Sequence, residues 1–372
     1  MFIPFVDLKA QYHSIKNEID NAIQNVIEDT AFIKGKYVKE FESNFANEYA
    51  VKHCIGVANG TDAIYIILKM LDIKGGDEVI TVTNSWISTS ETISQAGAKP
   101  VFVDIEPEYF TIDPDQIEEK ITTKTRAIIP VHLYGQPASM TKIQTLCNKY
   151  KLFLIEDCAQ AHFAEYKGRK VGTFGIASSF SFYPGKNLGA YGDAGAIITN
   201  DDDLANKMRM YSNHGALVKH NHLIEGINSR LDGLQASILN VKLKYIDQWN
   251  QKRLDNALLY NELLKDIKEI KIPVIRNNSK HIFHIYCIRA EKRDELKSYL
   301  TDNNIETAIH YPIALPNMPA YKYLNHKSTD FPISSNYQSR ILSLPMYPEL
   351  SNQQIRNVVD VIKKFYNYNK SD

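Results

Sequence analysis

Apolar, β-branched runs alternate with stretches of helical periodicity through the N-terminal half of the chain. The runs predict strands, and the amphipathic stretches between them predict helices. The predicted strands cover residues 53–57, 77–82, 100–104, 126–131 and 152–157. The predicted helices cover residues 61–71, 88–96 and 140–150, and one more begins at Asp113-Pro114. Strands that alternate with helices of this length indicate βαβ units and a mainly parallel sheet, whose strands end along a shared edge.

The pattern changes after residue 230. Residues 230–265 carry a long helical periodicity without proline, and a strand-like run follows over residues 282–288. Two further helices are predicted over residues 293–302 and 352–366. We therefore expect a large N-terminal domain over residues 1–250 and a smaller α+β domain over residues 251–372, joined by the long helix.

Composition narrows the class of protein. The 372 residues include 43 lysines and arginines against 43 aspartates and glutamates. This balance argues against nucleic-acid binding, which normally shows a basic excess or stripe. No run reaches the ~18 apolar residues of a membrane span, and residues 1–7 lack the basic and apolar regions of a signal peptide. We expect a soluble, cytoplasmic protein with no nucleic-acid or membrane partner.

The spacing of cysteines and histidines does not favour a metal site. The four cysteines form no CxxC pair, and scattered cysteines in a cytosolic chain are most often small core residues. The histidines form no HExxH motif. We therefore expect no bound metal.

A glycine-rich, aromatic-flanked segment carries a single lysine, Lys186, between two apolar runs. An isolated lysine in a turn is most often a solvated side chain, so its surroundings decide. Phe182 and Tyr183 provide apolar walls, which lower a lysine pKa and make the amine nucleophilic. Glycines let the main chain approach a ligand closely, and here they are Gly185, Gly189, Gly192 and Gly195. A P-loop is excluded, because Asn187 stands where that motif has serine or threonine.

Three further features lie where predicted strands end. Glu156 and Asp157 close an apolar strand, and a buried carboxylate there needs a cation. That cation is either a structural arginine or lysine or a protonated ring nitrogen of a cofactor. Gly60 and Thr61 begin a helix, where Thr61 can be the N-cap and the main-chain amides can bind an anion. Trp86 follows another strand and either packs in the core or covers a planar ring.

Together these features form a chemically consistent set. A lysine can form a Schiff base with an aldehyde, and an acid can keep a pyridine nitrogen protonated. A helix N-terminus can hold a phosphate, and an indole can stack on the ring. Pyridoxal 5'-phosphate (PLP) needs all of these groups, so the set predicts a PLP site.

The sequence closely resembles the sugar aminotransferases of the DegT/DnrJ/EryC1/StrS family over nearly its whole length. The resemblance is carried by residues 4–8, 58–62, 75–79, 156–160, 181–189, 191–193 and 228–232. It implies an α/β fold of the aspartate-aminotransferase type (PLP fold type I), with a mainly parallel seven-stranded mixed sheet in the large domain. It also implies a homodimer with two shared active sites.

The resemblance implies a role for each matching residue. Lys186 resembles the lysine that bonds the cofactor and shuttles protons, and Asp157 resembles the partner of the ring nitrogen. Trp86 resembles the stacking ring, and Gln160 is expected over the cofactor face near the phenolic oxygen. The implied phosphate ligands are Gly60, Thr61, Ser181 and, from the other subunit, Asn228.

The resemblance also implies a substrate. Lys186 stands where dehydratases of the family carry histidine, so transamination is implied. Residues 242–250 and 309–312 resemble members that act at C3 of a 3-keto-6-deoxyhexose, usually dTDP-linked, with L-glutamate as amino donor. The implied substrate contacts are Tyr183, His310, Tyr311 and, reaching across the dimer, Lys219.

The product of such a reaction is a deoxyamino sugar for surface glycans, such as O-antigen or S-layer glycan. A C4 aminotransferase and an aminotransferase of UDP-linked sugars are the alternatives within this fold. A regulator that binds the cofactor without turnover is the alternative of a different class.

Overall fold

The computed structural model describes residues 2–367. Residue 1 and residues 368–372, which end the predicted small domain, lie outside the described residues. The strands are β1 His53–Val57, β2 Glu78–Val82, β3 Lys99–Val103, β4 Thr125–Ile129, β5 Phe153–Asp157, β6 Glu165–Tyr166, β7 Arg169–Lys170, β8 Ala177–Ser181, β9 Gly195–Thr199, β10 Ala216–Val218, β11 Asn221–His222, β12 Ile270–Lys271, β13 Ser279–Lys280, β14 Tyr286–Ala290 and β15 Ile341–Leu344. The α-helices are α1 Leu8–Ser14, α2 Lys16–Glu28, α3 Lys36–Tyr49, α4 Gly60–Met70, α5 Ser88–Gln95, α6 Met140–Tyr150, α7 Asp202–Tyr211, α8 Gly233–Leu243, α9 Ile246–Leu264, α10 Arg293–Asp302, α11 Pro332–Tyr337 and α12 Asn352–Phe365.

The large sheet has the strand order β1-β9-β8-β5-β4-β2-β3. Strands β8, β5, β4, β2 and β3 are mutually parallel, and β9 runs antiparallel to its neighbours β8 and β1. The expected α/β fold with a mainly parallel seven-stranded mixed sheet is therefore confirmed.

Two buried cores lie on opposite faces of this sheet. Within β4, the side chain of Ile128 packs in one core, and those of Ala127 and Ile129 pack in the other. Alternate side chains of a strand point to opposite faces, so a strand covered on both sides is apolar along its whole length. This is why the strand-forming runs of the sequence are nearly continuous rather than alternating.

A third core surrounds the small sheet β12-β14-β15 and helices α9, α10 and α12. Helix α9 contributes Trp249 to a core of the large sheet and Tyr260 to the third core. The N-terminal segment also joins the third core, where Ile3 is fully buried. The domain boundary at residue 250 stays a prediction, and it falls inside α9.

Three predicted elements differ from the structure. No α-helix begins at Asp113-Pro114, because the Asp113 carboxylate accepts hydrogen bonds from the Asp115 amide (3.0 Å) and the Gln116 side chain (2.7 Å) and closes a turn. The long helix over 230–265 is divided into α8 and α9 at residues 244–245. The predicted strand over 282–288 begins only at Tyr286, because the amides of residues 282 and 285 bond to the carbonyls of residues 135 and 134 instead.

A search for membrane-crossing helices among residues 2–367 finds none that is long and apolar enough.

Candidate active site

Lys186 lies in the loop between β8 and β9, at the edge where the parallel strands end. Its own amide donates to the Tyr183 carbonyl (2.8 Å), and the amide side chain of Asn187 donates to Asn250 (2.8 Å) and to the Ile282 carbonyl (3.2 Å). The loop is thus fixed on both sides of the lysine. Burial lowers the pKa of Lys186 to about 8, and the negative charge of Asp157 opposes that fall. Close to neutral pH this amine can both accept and release a proton.

Asp157 ends strand β5 and is 4% exposed. One carboxylate oxygen accepts a hydrogen bond from the Thr89 hydroxyl (2.8 Å), and the other accepts one from the Ala159 amide (3.1 Å). Burial raises the pKa of Asp157, while these bonds and the charge of Lys186 oppose the rise. Both hydrogen-bond donors are uncharged, so they leave the carboxylate able to pair with a cationic ring nitrogen. The sequence analysis missed Thr89, whose only signal is its place in the first turns of α5, after the strand that precedes Trp86.

Glu156 has a structural role on the opposite face of the strand. Its carboxylate accepts hydrogen bonds from the amides of Gly172 (2.7 Å), Phe174 (2.7 Å) and Gly175 (2.8 Å), and it contacts His132 at 3.2 Å. Of the two acids that end the strand, only Asp157 therefore faces Lys186.

His132, Glu156 and Cys158 bring three possible metal ligands within 4.8 Å of one another. However, His132 Nδ1 accepts a hydrogen bond from the Ala138 amide (3.0 Å), so Nε2 carries the proton that points to Glu156. A protonated nitrogen is not a metal ligand. We therefore assign this buried cluster a structural role.

The N-terminal end of α4 forms a cradle of small and hydroxyl-bearing residues. The N-cap is Asn59, whose side chain accepts from the Asp62 amide (2.8 Å), so the expectation that Thr61 is the N-cap is wrong. The Thr61 hydroxyl instead bonds to Ser88 (2.6 Å). Gly60 lies against Ser181, since a Cβ at Gly60 would be 2.7 Å from the serine Cβ. Hydroxyls beside a helix N-terminus fit a phosphate.

Trp86, Gln160 and Tyr311 form one wall of the site. Trp86 is 59% exposed rather than packed in the core, and its ring lies 5.7 Å from the ring of Tyr311. Gln160 Nε2 donates to the Tyr311 phenol oxygen (3.0 Å), while its Oε1 accepts from the Tyr134 amide (2.7 Å). The indole is therefore free to cover a planar ring. The sequence analysis missed Tyr134, which only the fold brings to Gln160.

The other predicted substrate residues differ in burial. His310 stacks on Phe5 (5.6 Å), its Nδ1 bonds to Ser343 (2.9 Å), and burial lowers its pKa to about 4, so it is neutral at pH 7. Tyr183 is 60% exposed. Lys219, at the tip of the β10–β11 hairpin, and Asn228 are also exposed. Among the described residues, no hydrogen bond or ring contact joins either of them to the other predicted site residues of the same chain.

The amine of Lys186, the acid of Asp157, the hydroxyl cradle and the free indole fit PLP. On this fold and with this site, the chain is a PLP-dependent aminotransferase of the aspartate-aminotransferase type. Residues 13–363 match the DegT/DnrJ/EryC1/StrS aminotransferase family, and the chain belongs to that family. Both the family and the cofactor expected from the sequence are confirmed.

Several characterised proteins are similar over their whole lengths. A Geobacillus stearothermophilus protein named pleiotropic regulatory protein is 45% identical over 99% of this chain and 100% of its own. The dTDP-3-amino-3,6-dideoxy-α-D-galactopyranose transaminase of Aneurinibacillus thermoaerophilus is 44% identical over 98% of this chain and 99% of its own. The UDP-N-acetyl-3-dehydro-α-D-glucosamine 3-aminotransferase of Acidithiobacillus ferrooxidans is 40% identical over 97% of each chain.

Among solved structures, Streptomyces venezuelae DesV in complex with a ketimine intermediate superposes with a TM-score of 0.96. It is 39% identical, and the match covers 98% of both chains.

Proposed function

We propose that this protein transfers an amino group from L-glutamate to C3 of a dTDP-linked 3-keto-6-deoxyhexose. The observation that carries the proposal is the amine of Lys186, whose pKa burial lowers to about 8, beside the buried carboxylate of Asp157. The names of the Aneurinibacillus relative and other dTDP-sugar transaminases support C3 and the dTDP link.

Each predicted site residue has a proposed part in this reaction. When bound, PLP supplies an aldehyde that bonds amines and a ring that accepts the electron pair left on the substrate carbon. Lys186 holds the cofactor and, once released, moves a proton at that carbon. Asp157 keeps the ring nitrogen protonated, and this charge is the largest electrostatic contribution of the site. Trp86 stacks on the ring, Gln160 lies near its phenolic oxygen, and the phosphate is held by Gly60, Thr61, Ser181 and the partner subunit's Asn228.

The substrate side is proposed to use Tyr183, His310, Tyr311 and the partner subunit's Lys219. A lysine suits the diphosphate, and the neutral imidazole and the phenols can bond sugar hydroxyls.

A second observation supports the homodimer. The hairpin that carries Lys219 exposes apolar side chains, with Leu217 52%, Val218 66% and Leu223 64% exposed. A contiguous apolar patch of this kind marks a protein interface. We expect Val218→Asp to give monomers in light scattering and to lose turnover. Val274→Asp is the matched control, because Val274 is also exposed (41%) but lies away from the hairpin. A wild-type oligomer in the Val218→Asp variant would contradict the proposed interface.

The test of the reaction is to incubate the PLP-loaded protein with L-glutamate and dTDP-linked 3-keto, dTDP-linked 4-keto or UDP-linked 3-keto sugars. We expect 2-oxoglutarate and a 3-amino sugar, identified by NMR, with the first. A preference for the UDP sugar, as the Acidithiobacillus relative's name would have it, would replace the nucleotide in the proposal. Absence of 2-oxoglutarate with every sugar would support the regulatory alternative that the name of the Geobacillus relative suggests.

Borohydride reduction tests the role of Lys186 directly. We expect the cofactor mass on the peptide that contains Lys186 and not on the peptide that contains Lys242, another buried lysine with a lowered pKa. A cytoplasmic location and a role in surface-glycan biosynthesis stay predictions.

A further inference from the structure

We propose that Tyr134 is a positioning residue that fixes the His310–Tyr311 wall over the cofactor site. The Tyr134 hydroxyl donates to the carbonyl oxygen of His310. Its main-chain amide donates to Gln160 Oε1 (2.7 Å), and Gln160 Nε2 in turn donates to the Tyr311 phenol (3.0 Å). A single buried residue therefore holds two consecutive wall residues, His310 directly and Tyr311 through Gln160.

The position of Tyr134 is determined from every side. Its φ is 60°, a left-handed conformation that bulky residues rarely adopt and that neighbouring contacts must hold in place. Its ring packs edge-on against Phe110 (5.5 Å), and its carbonyl accepts from the Ile285 amide (3.4 Å). Asn84 Nδ2 points to the Tyr134 hydroxyl oxygen (3.5 Å), which leaves the hydroxyl proton for His310.

The neighbouring glycine keeps this turn in register. Gly135 has a φ of 93°, and a Cβ there would lie 2.7 Å from the Ile282 side chain and 3.2 Å from the Gln160 carbonyl oxygen. Hence the turn that carries Tyr134 packs against both Gln160 and the segment 282–285. Displacement of Tyr134 would move the donor to Gln160 and the donor to His310 together.

The wall has its other attachments on both sides of His310–Tyr311. His310 Nδ1 bonds to Ser343 of β15 (2.9 Å), and the Leu315 amide bonds to the Thr83 carbonyl (2.8 Å). Tyr134 supplies the attachment between these two points, at the residues that face the site. This inference rests on the proposed function where it concerns the sugar, because His310 and Tyr311 are the proposed sugar contacts.

The test is Tyr134→Phe, which removes only the hydroxyl, in the PLP-loaded protein. The matched control is Tyr260→Phe, because the Tyr260 hydroxyl also donates to a buried main-chain carbonyl, that of Pro345 (3.2 Å), but lies in the third core. Hydrogen–deuterium exchange of residues 309–315 measures the wall without substrate. Calorimetry with dTDP-glucose, which has no keto group to react, measures sugar binding.

We expect Tyr134→Phe to speed exchange in this segment about 3- to 10-fold, as loss of a buried hydrogen bond implies. We also expect it to weaken dTDP-glucose binding and raise the KM for the keto sugar by a similar factor. The cofactor absorbance and kcat should stay within about twofold of the wild type, and Tyr260→Phe should change neither exchange nor binding. Unchanged exchange in Tyr134→Phe would overturn the inference, whatever the turnover. Faster exchange with unchanged sugar binding would uphold the positioning role and overturn the proposed sugar contacts.

Discussion

Thr89 donates its hydroxyl proton to Asp157 across 2.8 Å and is the only side chain that hydrogen-bonds this carboxylate among the described residues. The bond favours the charged form of an acid whose pKa burial raises. Thr89 lies on α5 and Asp157 ends β5, so the packing of a helix against the sheet edge tunes the proposed partner of the ring nitrogen.

Thr89→Val tests this tuning, because valine keeps the shape and removes the hydroxyl. The pKa of Asp157 should rise further, so the acidic limb of the kcat/KM profile should move to higher pH by roughly 0.5–1 unit. The measurement is kcat/KM for the keto sugar from pH 5 to pH 9. Thr81→Val is the control, since Thr81 makes a buried bond to the Ile129 carbonyl (2.9 Å) within the same sheet. If both variants keep the wild-type profile, Thr89 does not tune Asp157.

Asp157→Asn should lower the pKa of Lys186 below its value of about 8, because the negative charge of Asp157 opposes the effect of burial. Only the neutral amine captures PLP. The rate of covalent capture by cofactor-free protein, followed by absorbance, should therefore rise with pH to a midpoint near pH 8 in the wild type and at lower pH in the variant. A midpoint that stays in place or rises would contradict the pairing. Turnover of the loaded variant should fall by roughly 100-fold or more, since the ring nitrogen is no longer held protonated.

Glu156→Gln should reduce the stability of the protein without direct loss of site chemistry. Glutamine replaces a carboxylate oxygen that accepts main-chain amides with an NH₂ group that faces them. A buried donor left unpaired costs about 1–3 kcal/mol, so the free energy of unfolding from urea titration should fall by about 2–4 kcal/mol. Glu165→Gln is the control, because Glu165 is partly exposed and pairs only loosely with Lys280 (3.6 Å). Equal losses in the two variants would contradict the structural role of Glu156.

Lys242 gives the protein a pH-dependent stability. It is fully buried, donates to the Gly189 carbonyl (2.7 Å) and lies over the Tyr191 ring (4.3 Å). Burial lowers its pKa to about 7, whereas an unfolded lysine has a pKa of about 10.4. Between these values the unfolded chain binds a proton that the folded chain does not, so the free energy of unfolding rises with pH. Below about pH 7 both states bind the proton and the rise stops.

Lys242→Met should flatten this dependence. The increase in the free energy of unfolding from pH 7 to pH 9 should be about 1–2 kcal/mol smaller than in the wild type, as measured by urea titration at both pH values. Lys244→Met, at an exposed lysine one position beyond the C-terminal end of α8, should keep the wild-type increase. The same flattening in both variants would show that burial of Lys242 is not its source.

Local patterns were sufficient for most elements of the fold. The structure places β1, α6 and α10 over the residues that the periodicity predicts. The errors arose where a side chain or a distant strand competes with the local preference. Asp113 caps a turn instead of a helix, and residues 282–285 bond to the loop at residues 134–135 instead of extending β14.

The candidate site divides along the same line. Lys186, Asp157 and Gly60 could be found from the sequence, because each stands in a short motif at the end of a predicted strand. Thr89, Ser88 and Tyr134 could not, because their partners are distant in sequence and their own segments carry no motif. Tyr134 and His310, for example, are 176 positions apart.

By itself, the sequence determined the order of strands and helices, the chemistry of the lysine, acid and cradle, and the family. These depend on periodicity and turn residues within a few positions of each other. Only the tertiary structure decided which of the two adjacent acids faces Lys186, that Trp86 is exposed, and that Tyr134 holds the wall. Those facts depend on which side chains share a face or a buried volume, and main-chain geometry sets that over separations at which sequence spacing carries no information.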